Sequence, residues 1–491
     1  MKREKEFWFV VGSQFLYGND VLDTIDKRAK EMAEWISDNE LIPFPVVYKG
    51  TVKTVDEAVK IVKDANYQED CLGLITWCHT FSPSKLWINA LTALQKPYCH
   101  FATQYNEKIP DKEIDMDFMN LNQAAHGDRE HGFIGARLRI PRKVIVGFWK
   151  NEKPLKELGK WMRAAYGVAE CRNLKVCRFG DNMRDVAVTE GDKVETQIKF
   201  GWQVNTWAVG DLVKEMNNVS DEEIERQYKD YLSKYDVATD NEESIKYQAR
   251  EEIAIKKILD RVGAKAFTNT FEDLYGMKQL PGLASQDLMA QGYGFGAEGD
   301  WKVSALTHVV KVMTEGMSGG TSMMEDYTYN LPVDEEYSLG AHMLEVCPSL
   351  AGDKPRIETH HLGIGMNEDD PARLVFEGKA GKATVASLID MGGRMRLIVQ
   401  DIEVVKPIYE MPNLPVARVM WKLKPDLPTA VKMWILCGGA HHTVLSYDAD
   451  ADMYEDFAEM MGIEFVHLNG DTDISDLKLQ LMLSDFAWKL R

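Results

Sequence analysis

The stretch EFWFVVGSQFLYGNDVLDTIDKRAKEMAEWISD, residues 6–38, joins an apolar run at Phe7–Val11 to Val21, Ile25, Ala29, Met32 and Ile36 at helical spacing. The first part reads as a strand and the second as an amphipathic helix. The alternation continues. Phe44–Tyr48 reads as a second strand, and Thr54-Val-Asp-Glu57 fits a capping box opening a helix through Ala58, Ile61 and Val62. Leu72–Trp77 is a third strand, apolar throughout, as expected when both faces are covered. A helix around Lys85–Leu94 and a strand at Pro97–Phe101 follow. This βαβα order predicts an open parallel sheet, Rossmann-like or flavodoxin-like.

Working outward, LKVCRFGD near Leu174 reads as the first strand of a second α/β unit. That unit includes a charged helix at Ser220–Lys234, expected on a solvated surface, and a strand at Ala266–Phe271. Beyond about residue 320 the texture changes to short β-rich runs, RLVFEG, KATVASLID, RMRLIVQDIEVV and ARVMWKL, separated by turn residues. Phe457–Met461 and Leu477–Leu490 read as helices. The expected fold class is therefore α/β, with N-terminal and central parallel-sheet domains and a β-rich, barrel-like C-terminal domain. The expected boundaries are 1–172, 173–315 and 316–491.

The 491 residues carry 58 Lys and Arg against 77 Asp and Glu, a net charge of −19. A surface this acidic repels phosphate backbones and anionic membranes, which argues against a nucleic-acid or membrane partner. The seven cysteines, Cys71, Cys78, Cys99, Cys171, Cys177, Cys347 and Cys437, never form a C-x-x-C pair. They read as buried thiols of a reducing compartment. The start, MKREKEFWFVVGSQFLYG, has too short an apolar run for a signal peptide, and no stretch approaches a membrane helix. A cytoplasmic location is expected.

Gly294-Phe-Gly296-Ala-Glu-Gly299 matches G-x-G-x-x-G, but the run before it, Ser285–Gln291, reads as helix where a dinucleotide fingerprint needs a strand. The alternative is that these glycines let backbone approach closely around Glu298, with Trp301 walling the site. Open α/β sheets bind ligands beyond the carboxyl ends of their strands. There this sequence places Ser13, Gln14, Leu16 and Tyr17, then His79, Thr80, Phe81 and Ser82, then Thr103 and Gln104, and Asp181, Asn182 and Met183. Hydroxyl, amide and aromatic groups of this kind suit a polyol; singly, each could also just cap the next helix. His126 lies in a polar, glycine-containing run. His441-His442 follows MWILCGGA, read as a strand that turns one imidazole inward. Glu298 in GFGAEGDW and Glu325 in GGTSMMEDYTY stand among glycine and aromatic residues, taken as loops, where a bare carboxylate is costly unless paired or metal-bound. With His342 and His442 they would make two carboxylates and two imidazoles, though spacing alone does not define a metal site.

Longer segments carry a resemblance: WFVVGSQFLYG (8–18), HTFSPSKLWINAL (79–91), DMDFMNLNQAAHGDREHGFIGARLR (115–139), KVCRFGDNMRDVAVTEGDKV (175–194), FGWQVNTWAVGDLV (200–213), TFEDLYGMKQLPGLA (270–284), GYGFGAEGDWK (292–302), GGTSMMEDYTY (319–329), AHMLEVCPS (341–349) and GGAHHTV (438–444). In these the chain resembles the L-arabinose isomerase family over nearly its whole length. The resemblance implies interconversion of L-arabinose and L-ribulose, with D-galactose to D-tagatose as a further reaction. It implies one divalent cation per subunit, Mn²⁺ with Co²⁺ or Fe²⁺ as substitutes, held by Glu298, Glu325, His342 and His442. It implies sugar contacts from Gln14, Leu16, Tyr17, Phe81, His126, Met183, Phe271 and Ile364, and a homohexamer with sites between subunits. Phe15 stands where the family often has His.

The chemistry of the residues agrees. Moving a proton between C2 and C1 of an aldose asks for an acid and a base beside an ene-diol, and two carboxylates suit that. Mixed carboxylate–imidazole ligation without thiolate suits Mn²⁺, Co²⁺ or Fe²⁺. Glu298 and Glu325 are thus the expected acid/base pair as well as ligands, in undetermined order, and a hydride shift is the rival mechanism. A two-lobed sugar-binding protein and a metal-dependent aldolase or hydrolase are the non-isomerase alternatives.

Overall fold

The computed structural model describes residues 4–365 and 368–490. The chain forms two compact units. One runs to Ala169 and takes in Glu455–Gly462; the other comprises Glu170–Tyr454 and Ile463 onward.

In the first unit, β1 (Glu6–Gly12), β2 (Val46–Val52), β3 (Cys71–Cys78), β4 (Tyr98–Ala102) and β5 (Lys143–Val146) form a parallel sheet in the order β2-β1-β3-β4-β5. That is the flavodoxin-like order, with a switch point between β1 and β3. Every residue of β3 is buried, as its sequence implied. Trp77 stacks on Phe9 at 6.0 Å and donates from Nε1 to the Thr103 carbonyl at 2.8 Å, so its polar atom is satisfied inside the core. The opening helix, Asn19–Asp38, buries Leu22, Ile25, Ala29, Met32, Ala33 and Ile36.

Three readings shift here. β2 starts at Val46, because Pro45 has no N–H to give the ladder; its carbonyl accepts from Phe7 N at 2.8 Å. Thr54 caps its helix by accepting from Glu57 N, but Glu57 reaches back to Lys53 N at 2.7 Å, so the box is not reciprocal. The helix expected at Lys85–Leu94 is a 3₁₀ turn, Ser84–Trp87, followed by a short α-helix, Ile88–Ala93.

In the second unit, β6 (Lys175–Phe179), β7 (Gln203–Trp207), β9 (Ala266–Thr268) and β10 (Gly294–Gly296) form a parallel sheet in the order β10-β9-β6-β7. β8 (Asp236–Val237) pairs instead with β13 (Arg356–Thr359), which pairs with β14 (Ala372–Val375). The charged helix is Asp221–Lys234, opened by a full capping box between Ser220 and Glu223, and it buries Ile224 and Tyr231.

The C-terminal strands are β11 (Thr321–Asn330), β12 (Tyr337–Ala341), β15 (Gly381–Asp390), β16 (Met395–Val405), β17 (Arg418–Leu423), β18 (His442–Ser446) and β19 (Glu464–Leu468). β15 pairs with β18, β18 with β11, β11 with β12, β12 with β17, β17 with β16, and β16 returns to β15, all antiparallel. The ring is closed, which gives the barrel-like domain expected; β19 adds to β16 in parallel. The helix Trp301–Met313 packs on both β10 and β11 and is buried almost all round, its buried polar side chains Lys302, Ser304, Thr307 and His308 each hydrogen-bonded.

MWILCGGA is not a strand. It ends the helix Leu427–Leu436, which starts where Asp426 accepts from Thr429 N and Pro428 fills the first turn. The seven cysteines are buried and free. No helix of the described residues is long and apolar enough to cross a membrane.

Candidate active site

Strand register assembles the second unit's site. Glu325 is not in a loop but within β11, directly opposite His442 of β18 on one side and Ala341 of β12 on the other. His342 is the next residue after Ala341. Antiparallel partners lie about 5 Å apart, so three residues distant in sequence become neighbours.

Glu298 arrives from the other sheet, in the turn between β10 and the helix Trp301–Met313. Its φ is +59°, a left-handed conformation that a non-glycine residue adopts at a cost. The glycines around it explain the decoy motif. β10 is made of the motif itself. A Cβ on Gly294 would lie 2.2 Å from the Ser304 carbonyl oxygen, and one on Gly296 2.3 Å from that of Asp300. The space a pyrophosphate would need is filled by the helix. Met183 N donates to the Glu298 carbonyl at 2.9 Å and Gly299 N to that of Asn269 at 2.9 Å, which fix the turn. β9 stops at Thr268, short of the strand expected through Phe271, so that Asn269 can serve here.

The four side chains converge. His442 Nε2 lies 3.6 Å from Glu298 Oε2, and His342 Nε2 lies 3.8 Å from Glu325 Oε2. The two imidazole rings are 6.1 Å apart. His442 is fully buried, yet its Nε2 has no hydrogen-bond partner among the described residues. A buried, orphaned imidazole nitrogen facing a carboxylate at non-bonding distance is the arrangement of two ligands around one cation, since ligand atoms each ~2.1 Å from an ion lie about 3–4 Å from each other. The donor set fits a divalent cation.

Each imidazole is held from behind by a second carboxylate. His342 Nδ1 donates to Glu345 Oε2 at 2.5 Å, and His442 Nδ1 to Asp300 Oδ2 at 3.2 Å. Asp300 also caps its helix through Lys302 N and Val303 N. It faces Lys302 Nζ at 3.3 Å, a buried ammonium that donates to the carbonyls of Thr189 and Glu190. Burial lowers the His342 pKa, but Glu345 outweighs it and lifts the group to about 9. Burial raises Glu298, but His441, His442 and His342 prevail and hold it below the usual carboxylate range. Burial likewise raises Asp300, and Lys302 with His442 overcomes it, so this carboxylate too is lowered. Asp326, with a buried oxygen lacking a partner, is pushed up to about 7 by burial and then by the charge of Glu325.

His441 departs from expectation. It lies 3.9 Å from Glu298 Oε2, so both members of the doublet flank that carboxylate, and Glu298 raises the His441 pKa. His442 is 0% exposed and His441 37%. Phe271 stands 6.0 Å from the His342 ring, Met183 is tied to the cluster through its N–H on the Glu298 carbonyl, and Ile364, 40% exposed, precedes Gly365, whose backbone lies against Phe271.

The remaining candidates belong to the first unit, beyond the carboxyl ends of β1 and β3. Ser13 and Thr80 hydroxyls bond at 2.7 Å, and Gln14 Nε2 donates to the Phe81 carbonyl at 3.3 Å. Tyr17 OH donates to Gln123 Oε1 at 2.9 Å, and Phe81 meets the His126 ring at 6.3 Å. Leu16 sits on the 3₁₀ turn Phe15–Tyr17 and is highly exposed. Gln123 was missed from sequence, although it lies in the same run as His126. Metal-like spacing gathers Glu298 with His441 and His442 in the second unit; in the first it gathers a separate cluster, Cys78, His100 and Asp128. Its imidazole is already bonded on both sides, to Thr76 and Asp128 at 2.9 Å each, and burial raises the Cys78 thiol. It reads as a closed structural network.

A buried set of carboxylates and imidazoles that shift one another's ionisation is a candidate enzyme site. The comparisons identify which. Profiles of the L-arabinose isomerase N-terminal, central and C-terminal domains match residues 1–173, 175–316 and 320–464. A Geobacillus stearothermophilus protein named L-arabinose isomerase is 52% identical, covering 100% of this chain and 99% of its own. L-arabinose isomerase 1 of Bacillus licheniformis is 53% identical over 99% of this chain and 98% of its own. The Thermotoga petrophila L-arabinose isomerase is 49% identical over 99% of both. The chain belongs to the L-arabinose isomerase family, and it is an isomerase.

Proposed function

We propose that the protein converts L-arabinose to L-ribulose with a divalent cation, Mn²⁺ first and Co²⁺ or Fe²⁺ as substitutes, held by Glu298, Glu325, His342 and His442. The observation that carries this reading is the buried, unpartnered Nε2 of His442 facing Glu298 at 3.6 Å. When bound, the cation would polarise the sugar carbonyl and stabilise the charge that builds on the ene-diol. One carboxylate of the Glu298–Glu325 pair takes the C2 proton and delivers a proton to C1, while the other gives a proton to O1 and takes one from O2. Glu298 is held ionised by its imidazole neighbours, and either carboxylate of the pair can start as the base. Asp300 and Glu345 keep the two imidazoles in one orientation. Met183, Phe271 and Ile364 would line the sugar on this unit, and the family likeness assigns its other polar and aromatic contacts to Gln14, Leu16, Tyr17, Phe81 and His126 of a neighbouring subunit.

The family also motivates a homohexamer in which the first unit of one subunit serves the second unit of another. The seven buried free thiols are in keeping with the cytoplasm. Incubating Mn²⁺-loaded protein with L-arabinose and reading the product by NMR tests the assignment: L-ribulose is expected, fragmentation would make it an aldolase, and no product would make it a binding protein. A D-galactose arm, read for D-tagatose, tests the second substrate.

A further inference from the structure

The C-terminal helix Ile474–Lys489 is apolar on two opposite sides. Leu477 is buried, and Leu481, Ser484 and Trp488 are half-buried; these recur at i, i+4, i+7 and i+11. That side rests on the helix Leu427–Leu436, and Lys199 lies over the Trp488 ring at 6.0 Å. Leu479, Met482, Leu483 and Phe486 form a second stripe at i, i+3, i+4 and i+7, continued by Leu490, and they are 49–61% exposed, Leu490 87%. At about 100° per residue the two stripes are centred roughly 180° apart. A surface helix needs only one apolar stripe.

The size of the outer stripe says what covers it. Taking ~180 Å² for a fully exposed large apolar side chain, the five residues expose about 500 Å². That is near the upper end for the largest patch of a monomer. It also equals the apolar share, roughly 60%, of the ~800 Å² each partner contributes to a standard interface.

The pattern says which partner. The positions 479, 482, 483 and 486 read the same from either end. A copy of the helix laid antiparallel about a two-fold axis through Met482 and Leu483 sets Leu479 beside Phe486 of the second copy, and Met482 beside Leu483 of the second copy. That is the self-complementarity of an isologous contact. With −19 charges on each chain, chance contacts between copies are opposed, so association has to run through an uncharged seam.

We infer that the outer face of the helix Ile474–Lys489 is a two-fold interface between two copies of this chain. The inference rests on the homo-oligomeric reading above and specifies one of its contacts. The test is sedimentation equilibrium on the full-length protein and two variants, with circular dichroism to verify folding. Leu483→Glu sits on an exposed position and should weaken this association at least tenfold, giving a smaller particle of unchanged helicity. The double variant Met482→Glu/Leu483→Lys should restore the wild-type mass, because each new carboxylate then faces a new ammonium across the axis. A monomeric wild type overturns both the oligomer and this interface. An oligomeric wild type whose mass Leu483→Glu leaves unchanged overturns the interface alone. Dissociation by Leu483→Glu without recovery in the double variant overturns the antiparallel pairing.

Discussion

Glu345 accepts a hydrogen bond from His342 Nδ1 at 2.5 Å, with both side chains 1% exposed. The bond places a proton on Nδ1 and leaves Nε2 turned toward Glu325. Asp300 does the same for His442. A carboxylate behind a ligating imidazole fixes the tautomer and makes the ligand more basic.

Removing these carboxylates should therefore weaken metal binding without removing a ligand. Glu345→Gln and Asp300→Asn are expected to raise the Mn²⁺ Kd by ~10–100-fold. Isothermal titration of stripped protein measures it. A change under twofold in either folded variant would show that its carboxylate does not position the imidazole.

Glu298→Gln and Glu325→Gln should each lower kcat by ~10²–10⁴, the range for losing a general acid or base. The comparison is made at saturating Mn²⁺, so that a weaker site does not pass for a lost proton carrier. A folded variant retaining more than a tenth of the activity would remove that residue from the proton path.

The histidine doublet separates by burial. His442→Ala should abolish tight Mn²⁺ binding. His441→Ala should cost much less, because its half-exposed ring flanks Glu298 while His442 alone carries the buried orphaned nitrogen. Equal losses in the two titrations would reverse that assignment.

The first unit should be acid-labile. His79 is buried between Trp77 and Tyr105, and its Nε2 faces Arg28 at 3.2 Å. Burial, with the charge of Arg28, lowers its pKa to about 4. An unfolded His titrates near ~6.5. A folded pKa below the unfolded one gives stability that is complete above pH ~6.5 and lost as pH falls toward 4, about 3 kcal/mol in order of magnitude. Thermal unfolding between pH 7 and 4.5 should show a falling Tm, and His79→Gln should flatten that slope. An equal slope in the variant would assign the lability to other groups.

What the sequence showed depended on how local the cause was. β1, β3 and the helix Asn19–Asp38 follow from apolar periodicity within one window, and they were legible. The closed ring was visible only as β-rich texture, because β11 carries Glu325 and Asp326 in its middle and reads as a polar loop. MWILCGGA misled because a short apolar run has no period of its own, and Asp426 with Pro428, the residues that open the helix, lie upstream of it. Glu298, Glu325, His342 and His442 could be named from family wording, but their meeting depends on β11 pairing with β18 and on a glycine-tight turn. Asp300 and Glu345 had only a weak signal, a carboxylate two residues after Glu298 and another three after His342. Gln123 and the inward reach of His441 had none apart from their neighbours.

The proposed isomerase reaction depends on a cation held by the two carboxylates and two imidazoles. The most direct measurement strips the protein with EDTA, removes the chelator, and follows L-ribulose formation from L-arabinose as Mn²⁺ is titrated back. No turnover is expected in the stripped protein, with recovery that saturates at one Mn²⁺ per chain and exceeds that with Zn²⁺. Undiminished turnover by protein shown to be metal-free would contradict it.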